Sequence, residues 1–249
     1  MEPELLLRHI DDLCARVERA GVAAHTAFLT PEERQAVSDR VARRHIPAVF
    51  FGGVPEAERT VAFLLPEPPE EGELASAFAE EIACVRVEGD VANLTHRDYL
   101  GAVMRLGLER DAVGDILPGE TGYILCLPAA ARCILNDLLK IGNRNVTLSL
   151  CPLEEVPTPE IRETEERFTV KSPRLDAVCG GLFHLSRTEA AERIRRGDCA
   201  VNHRPCDKPD KLLSEGDTVT LRGLGRGTLT LIGGKTKKDR LFLTVKRRI

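Results

Sequence analysis

Arg174-Leu175-Asp176-Ala177-Val178-Cys179-Gly180-Gly181-Leu182-Phe183-His184-Leu185-Ser186-Arg187-Thr188-Glu189-Ala190-Ala191-Glu192-Arg193-Ile194-Arg195-Arg196-Gly197 decides how the C-terminal third of the chain is built. Ser172-Pro173 ahead of it predicts a helix start, because serine accepts from the free amides of a first turn and proline fits its first position. Leu175, Val178 and Cys179 supply the apolar stripe of that helix, and Gly180-Gly181 its stop. Ser186 followed by Glu189 reads as a capping box that opens a second helix. Gly197 ends it, and a strand starts at Ala200-Val201-Asn202.

Arg187 stands out on the helical wheel. It falls on the line of Ala190, Ala191 and Ile194, the core-facing stripe, where an arginine head group must reach past the helix start. Two readings follow. The start of the helix offers free amides and the positive end of a dipole, a seat for a phosphate. Alternatively, Arg187 pairs with Asp176 across the two helices.

Outward from this core, Gly216-Asp217 precedes an alternating strand, Thr218 to Leu221. Strands Thr228 to Ile232 and Leu241 to Val245 form a hairpin around Gly233-Gly234-Lys235-Thr236-Lys237-Lys238-Asp239. That loop gathers positive charge where no core requires it, which favours phosphate contact. Charge divides the chain in the same place. From Phe168 onward there are 18 Lys+Arg against 9 Asp+Glu, a net of +9, while the remaining 167 residues carry 17 against 30, a net of -13. A basic tail on an acidic body points to a nucleic-acid partner, and the acidic part to a possible protein partner. Lys171, Arg174, Ser186, Arg187, Arg195, Arg196, Lys235, Lys237 and Lys238 are the candidate RNA-binding residues.

The rest of the 249 residues leaves room for two further domains. In the first, Leu5, Leu6, Ile10, Leu13 and Val17 recur at helical spacing, and Thr30-Pro31 opens a second helix that His45-Ile46-Pro47 ends. Ala48 to Phe51 and Thr60 to Leu65 follow as strands joined through Gly52-Gly53. Pro66 to Glu73 is a solvated connector. Strand and helix signals then alternate: strand Ile82 to Val87, helix Thr95 to Leu106 closed by Gly107, strand Gly122 to Leu127, helix Ala129 to Lys140, strand Val146 to Leu150. This β-α-β-α-β order predicts a small α/β sandwich. A Pro- and Glu-rich connector, Glu154 to Glu166, leads to the basic module.

The motif Arg174-Leu175-Asp176, Ser186-Arg187-x-x-Ala190-Ala191-x-x-Ile194-x-x-Gly197, Val201-Asn202, Lys208-Pro209 and Glu215-Gly216-Asp217 resembles the ribosomal protein S4-type RNA-binding domain. The chain as a whole resembles the YlmH group of bacterial proteins, through Leu94-Thr95-His96-Arg97-Asp98-Tyr99-Leu100-Gly101 and Gly114-Asp115-Ile116-Leu117 as well. The resemblance implies an α+β, multi-domain protein: an α/β N-terminal domain (1–73), an RRM-like βαβαβ middle domain (74–153) and a small S4-type domain (168–249). It implies a non-catalytic role: binding rRNA and tRNA on the large ribosomal subunit, handling stalled translation complexes, and a link to cell division. One departure is plain. An RRM stacks bases on several sheet aromatics, whereas the strand Gly122 to Leu127 offers only Tyr123, so protein contacts are an alternative use of that domain.

Competing classes have weak support. S4-type modules accompany RNA-modifying enzymes, and Arg174-Leu175-Asp176 mimics a stretch of pseudouridine synthases, but no second copy stands in the acidic body. A pure protein-interaction adaptor is the other alternative. Thr95-x-x-Asp98 reads as a capping box rather than as half of a catalytic pair with His96. Gly234-Lys235-Thr236 lacks the P-loop glycine five residues earlier, where Leu229 stands. The eight cysteines form no C-x-x-C pair. Cys199, His203 and Cys206, with His184 more distant, lack paired zinc spacing, so reduced buried thiols are expected and no metal or cofactor. Without an apolar run of membrane-spanning length and with an acidic start at Met1-Glu2-Pro3-Glu4, cytoplasmic residence is expected.

Overall fold

Helical periodicity in the N-terminal segment buries one side of α1 (Pro3–Ala20) through Leu6, Ile10, Cys14 and Val17, while Leu5 faces solvent. The computed structural model describes residues 3–68, 78, 80–158 and 163–248. Helix α2 (Pro31–Arg43) starts with a complete capping box. The Glu33 amide donates to Thr30 Oγ1 at 3.2 Å, and the Thr30 amide donates to Glu33 Oε2 at 2.8 Å. Between the helices runs β1 (Ala24–Leu29). This corrects the expectation of helices first and strands after. Ala24 and Ala27 carry little β signal, and the strand's position in the sheet comes from partners distant in sequence. It pairs antiparallel with β3 (Thr60–Leu64), which pairs with β2 (Ala48–Phe51). The connector read from Pro66 to Glu73 lies outside the described residues beyond Pro68.

The middle segment runs β4 (Ala83–Gly89), α3 (His96–Met104), β5 (Val113–Leu117), β6 (Gly122–Cys126), α4 (Pro128–Asp137), β7 (Lys140–Ile141) and β8 (Arg144–Cys151). The expected β-α-β-α-β order therefore lacks two strands. β5 begins Val113-Gly114-Asp115, a poor strand sequence, and Lys140 turns from the end of a helix into a short hairpin with β8. The sheet order is β5-β6-β4-β8-β7, with every pairing antiparallel.

Both faces of this sheet are covered. Val85, Val87, Ile124 and Cys126 pack against α3 and α4. Cys84, Leu125 and Cys151 face the other way and pack with Phe28, Val61 and Phe63 of the three-stranded sheet. That smaller sheet carries α1 and α2 on its outer side, so the order of layers is helix, sheet, sheet, helix. Glycines set the contact: a Cβ on Gly114 would lie 2.5 Å from Phe28 Cε1, and one on Gly53 2.8 Å from Leu125 Cδ2. Polar bonds close the seam. Asp115 accepts from the amides of Glu58 (2.6 Å) and Arg59 (3.0 Å), and the half-buried Arg59 donates to the carbonyls of Val113 (3.1 Å) and Phe28 (2.9 Å). These layers make one compact unit, Met1–Pro159, and Glu160–Ile249 is a second.

The second unit begins with β9 (Glu163–Val170), inside the stretch read as connector. Two of its acidic residues meet a cation on β14, which favours the pairing: Glu165 stands opposite Lys246, and Lys246 Nζ lies 3.4 Å from Glu163 Oε2. Residues 159–162 of that connector lie outside the described residues. Then come α5 (Leu175–Leu182), α6 (Arg187–Arg195), β10 (Cys199–Val201), β11 (Arg204–Pro205), β12 (Thr218–Leu221), β13 (Gly225–Lys235) and β14 (Leu241–Arg248). The sheet order is β11-β10-β12-β13-β14-β9. Leu175, Val178, Cys179 and Leu182 of α5 and Ala190 and Ile194 of α6 pack on one sheet face, over Val219, Leu229, Leu243 and Val245.

Three local expectations fail here. Ser172-Pro173 does not cap α5. Its N-cap is Arg174, and the amides of Leu175 and Asp176 donate to the carbonyls of Lys211 (2.8 Å) and Pro209 (2.9 Å). Gly180-Gly181 does not stop α5 either; the helix runs through both, and the glycine at 181 makes room for the Phe168 ring, which a Cβ there would overlap. Gly233 to Lys235 belongs to β13 rather than to a loop.

Candidate nucleic-acid interface

Asp176 lies in the first turn of α5 and is only 6% exposed. A buried carboxylate needs partners, and it has two arginines. Arg174 donates to it through Nε (3.3 Å) and Nη2 (3.2 Å), and Arg187, the first residue of α6, donates through Nη2 to both oxygens at 2.7 Å. Burial alone would raise the Asp176 pKa, but the hydrogen bonds and charges of the two arginines outweigh it and hold the carboxyl below its ordinary value.

The Arg187 head group is thus directed to Asp176 of the neighbouring helix rather than buried with Ala190, Ala191 and Ile194. At the first helical position its side chain leaves past the end of the helix, and 57% of it stays exposed. The pairing with Asp176 is present. It uses Nη2 alone, and no hydrogen bond from Nε or Nη1 is found among the described residues. The triad of two guanidinium groups and one carboxylate keeps a net positive charge. At the same helix start the Ser186 hydroxyl accepts from the Glu189 amide at 3.1 Å. The Glu189 carboxylate instead lies 3.8 Å from Arg193, so only half of the capping box forms.

The other candidates fall into separate groups. Lys235, Lys237 and Lys238 stand together at the β13–β14 turn, with Lys235 Nζ 2.6 Å from Asp239 and the other two exposed. Lys171 follows Val170, which pairs with Leu241 at the base of that turn. Arg195 and Arg196 are exposed at the far end of α6, about 12 Å along the axis from Arg187 by helical rise, and do not join its cluster. Sequence reading missed Arg240, whose Nε donates to Thr169 Oγ1 at 3.0 Å and whose Nη2 donates to the Thr169 carbonyl. It also missed Phe242, although the alternation of Leu241, Leu243 and Val245 already sets that ring outward.

Elsewhere the sequence motifs resolve into structure. Asp98 completes the capping box of α3 with Thr95. His96 has its pKa lowered, first by burial and then by the Arg110 charge. Asn202 and His203 form the left-handed turn between β10 and β11, and Cys199 is buried beside Cys179. Among the described residues, no group of His, Cys, Asp and Glu is placed to hold a metal ion, and no helix is long and apolar enough to cross a membrane.

Residues 75–155 match a family described as "Putative RNA-binding domain in YlmH". The chain is 35% identical over 225 residues to "Ribosome-associated protein quality control protein P2" of Bacillus subtilis (strain 168), across 89% of this chain and 86% of that protein. A stretch of 63 residues is 33% identical to small ribosomal subunit protein uS4 of Solibacter usitatus (strain Ellin6076), covering 25% of this chain and 30% of that protein. Among solved structures, "Cell division protein ylmH from Streptococcus pneumoniae" shares the fold over 63% of this chain and 96% of its own, with a TM-score of 0.54 at 22% identity. Identity at this level along nearly the full length of both chains shows that this chain belongs to the YlmH family.

Proposed function

We propose that the second unit is an S4-type module that binds structured RNA by its phosphates, and that the chain acts without catalysis on the large ribosomal subunit. One observation carries the reading: the shared buried carboxylate holds two arginines from two helices in place, and leaves Nε and Nη1 of Arg187 pointing to no protein acceptor among the described residues. A guanidinium fixed in advance loses little side-chain freedom when a phosphate arrives. Lys171, Arg174, Ser186, Lys235, Lys237 and Lys238 extend the surface, and Arg195 and Arg196 contact RNA only if it reaches the far end of α6.

The quality-control name of the Bacillus relative supports a role on stalled translation complexes, through rRNA and tRNA in the cytoplasm. The cell-division name of the Streptococcus protein supports a link to that process. Within the first unit, 1–73 is read as an acidic part for a protein partner and 74–153 as an RRM-like layer packed on it, and the basic module read from 168 takes in the strand from Glu163 as well. The antiparallel order β5-β6-β4-β8 supports the RRM-like reading. Non-catalytic action is favoured because Asp176 of the pseudouridine-synthase-like motif is committed to two arginines and Asp98 to a helix cap.

Sedimentation of the full chain with purified large ribosomal subunits over a salt series tests the proposal. The logarithm of affinity should fall against the logarithm of salt with a slope of roughly -0.7 to -0.9 per phosphate neutralised. Arg187→Ala should weaken binding while the chain stays folded by circular dichroism. Affinity indifferent to salt, or an Arg187→Ala variant that binds as the wild type does, would overturn it.

A further inference from the structure

Phosphate contacts leave one feature of the β13–β14 hairpin unexplained. On β14, Leu243 and Val245 are buried, and Phe242 between them and the turn is 53% exposed. Its neighbour on β9 is Thr169. On the β13 side the register passes from Ile232 opposite Leu243 to Lys235 opposite Leu241, so Gly233 and Gly234 together oppose Phe242 in a bulge. A Cβ on Gly233 would lie 3.4 Å from Phe242 Cβ, so the position from which a cross-strand side chain would cover the ring holds a residue without one. An exposed ring contributes little to folding, and a glycine pair in a strand weakens it. The arrangement keeps an aromatic surface open at some cost to the hairpin.

That surface stands among cations. Phe242, Thr169, Lys235, Lys237, Lys238 and Arg240 line one open groove. Arg240 is anchored on Thr169, the cross-strand partner of the ring, and Lys237 and Lys238 extend from the turn. The apolar area is a ring with Leu231 nearby on the same sheet face, ringed by like charges, which is small for a protein surface. Every nucleobase presents a π face to an aromatic ring, and the phosphates that flank it call for cations beside that ring.

We propose that this groove is a nucleotide site: an unpaired base of the bound RNA stacks on Phe242, and the phosphates beside it lie on Lys237, Lys238 and Arg240. The inference rests on the RNA-binding reading above and adds to it that the hairpin selects a base splayed out of its helix. Gly233 and Gly234 supply the clearance, and the anchored Arg240 sets the edge of the site.

The test uses the full chain and two labelled RNA hairpins of the same sequence, one with a fully paired stem and one with a single unpaired uridine in the stem, read by fluorescence anisotropy. The wild type should prefer the bulged RNA by about tenfold, the size of one aromatic–base stack. Phe242→Ala should bring the bulged RNA down to the affinity of the paired one, leave the paired one unchanged, and leave the salt slope unchanged. Phe242→Tyr should keep the preference and Phe242→Leu should lose it, since a leucine of similar bulk has no π face. Lys237→Ala with Lys238→Ala should weaken both RNAs alike and flatten the salt slope. A wild type that binds both RNAs equally, a Phe242→Ala variant that keeps the preference, or a leucine that serves as well as tyrosine would each overturn the stacking site while leaving phosphate binding intact. A wild type that binds neither RNA would overturn both readings.

Discussion

The sheet of the first unit carries packed side chains on both faces, whereas the sheet of the second carries α5 and α6 on one face and leaves Phe242, Lys246 and Leu231 exposed on the other. Both sheets are antiparallel, but the central strands of the first are apolar on both faces, as Tyr123-Ile124-Leu125-Cys126 shows, while β14 alternates buried Leu243 and Val245 with exposed Phe242 and Lys246. The difference lies in what the chain places on the second face. In the first unit the three-stranded sheet occupies it, with Gly114 and Gly53 shaped to receive Phe28 and Leu125. Where an RRM would offer its sheet to RNA, Leu125, Cys84 and Tyr123 pack against the chain's own N-terminal strands. A family signature such as Gly114-Asp115-Ile116-Leu117 therefore marks an internal seam, and the open cationic surface belongs to the other unit.

Substitutions on the two second faces should behave in opposite ways. Phe28→Ala removes a ring that is almost fully buried between the two sheets and should cost about 3–5 kcal/mol in denaturant unfolding of the first unit. RNA affinity of the second unit should stay as it was. A loss below that of an ordinary surface change would mean that the seam does not hold the layers together.

Asp176→Ala comes next. It strips the partner from two arginines that are part exposed, and should destabilise the second unit by about 2 kcal/mol, less than the roughly 3–5 kcal/mol of a fully buried pair because both guanidinium groups keep water. Because the folded carboxyl sits below its ordinary 3.8, this contribution is fully present above that pH and is lost as pH falls through the folded value. The wild type should therefore lose stability in acid more steeply than the variant, as thermal melts between pH 6 and about pH 2.5 would show. Equal pH profiles would sever the link between Asp176 and the arginines.

The smallest effect belongs to the open face. Phe242→Ala should change stability by no more than about 0.5 kcal/mol, because the ring is half in water. A large loss in the same unfolding experiment would show that the ring is packed as firmly as Phe28, and the contrast between the faces would vanish.

The sequence makes the two helices of the basic module legible, since Leu175, Val178, Cys179, Ala190 and Ile194 hold a 3.6-residue period over both. The helix start at Thr30-Pro31 and the capping box at Thr95 are equally plain, because each signal lies within three residues, though the second half of the Thr30 box, Glu33, shows only in the structure. What stays hidden is what distant residues decide. β1 and β5 are strands because of their neighbours, not their own residues. Gly181 looks like a stop signal, yet it serves a close approach by Phe168, which lies 13 residues earlier and in another element. The wheel puts Arg187 on the line of the core stripe, and its charge is what requires the head group to leave that line, here for Asp176 of the neighbouring helix. The basic hairpin tip is visible as a run of lysines, but the opposition of Gly233 and Gly234 to Phe242 exists only once the strands are in register.

The seam between the two sheets has a practical consequence for anyone who isolates the matched stretch 75–155 by itself. Such a fragment would be trimmed of β1, β3 and the Phe28 ring, and would present Leu125, Cys84 and Cys151 to solvent as a bare greasy wall. Burial now pushes the Cys84 thiol up to about 12, where it is inert. Unwrapped, that sulfur would regain ordinary acidity beside Cys151, its cross-strand neighbour, and the excised piece would be exposed to clumping and oxidation at a face that the intact polypeptide covers.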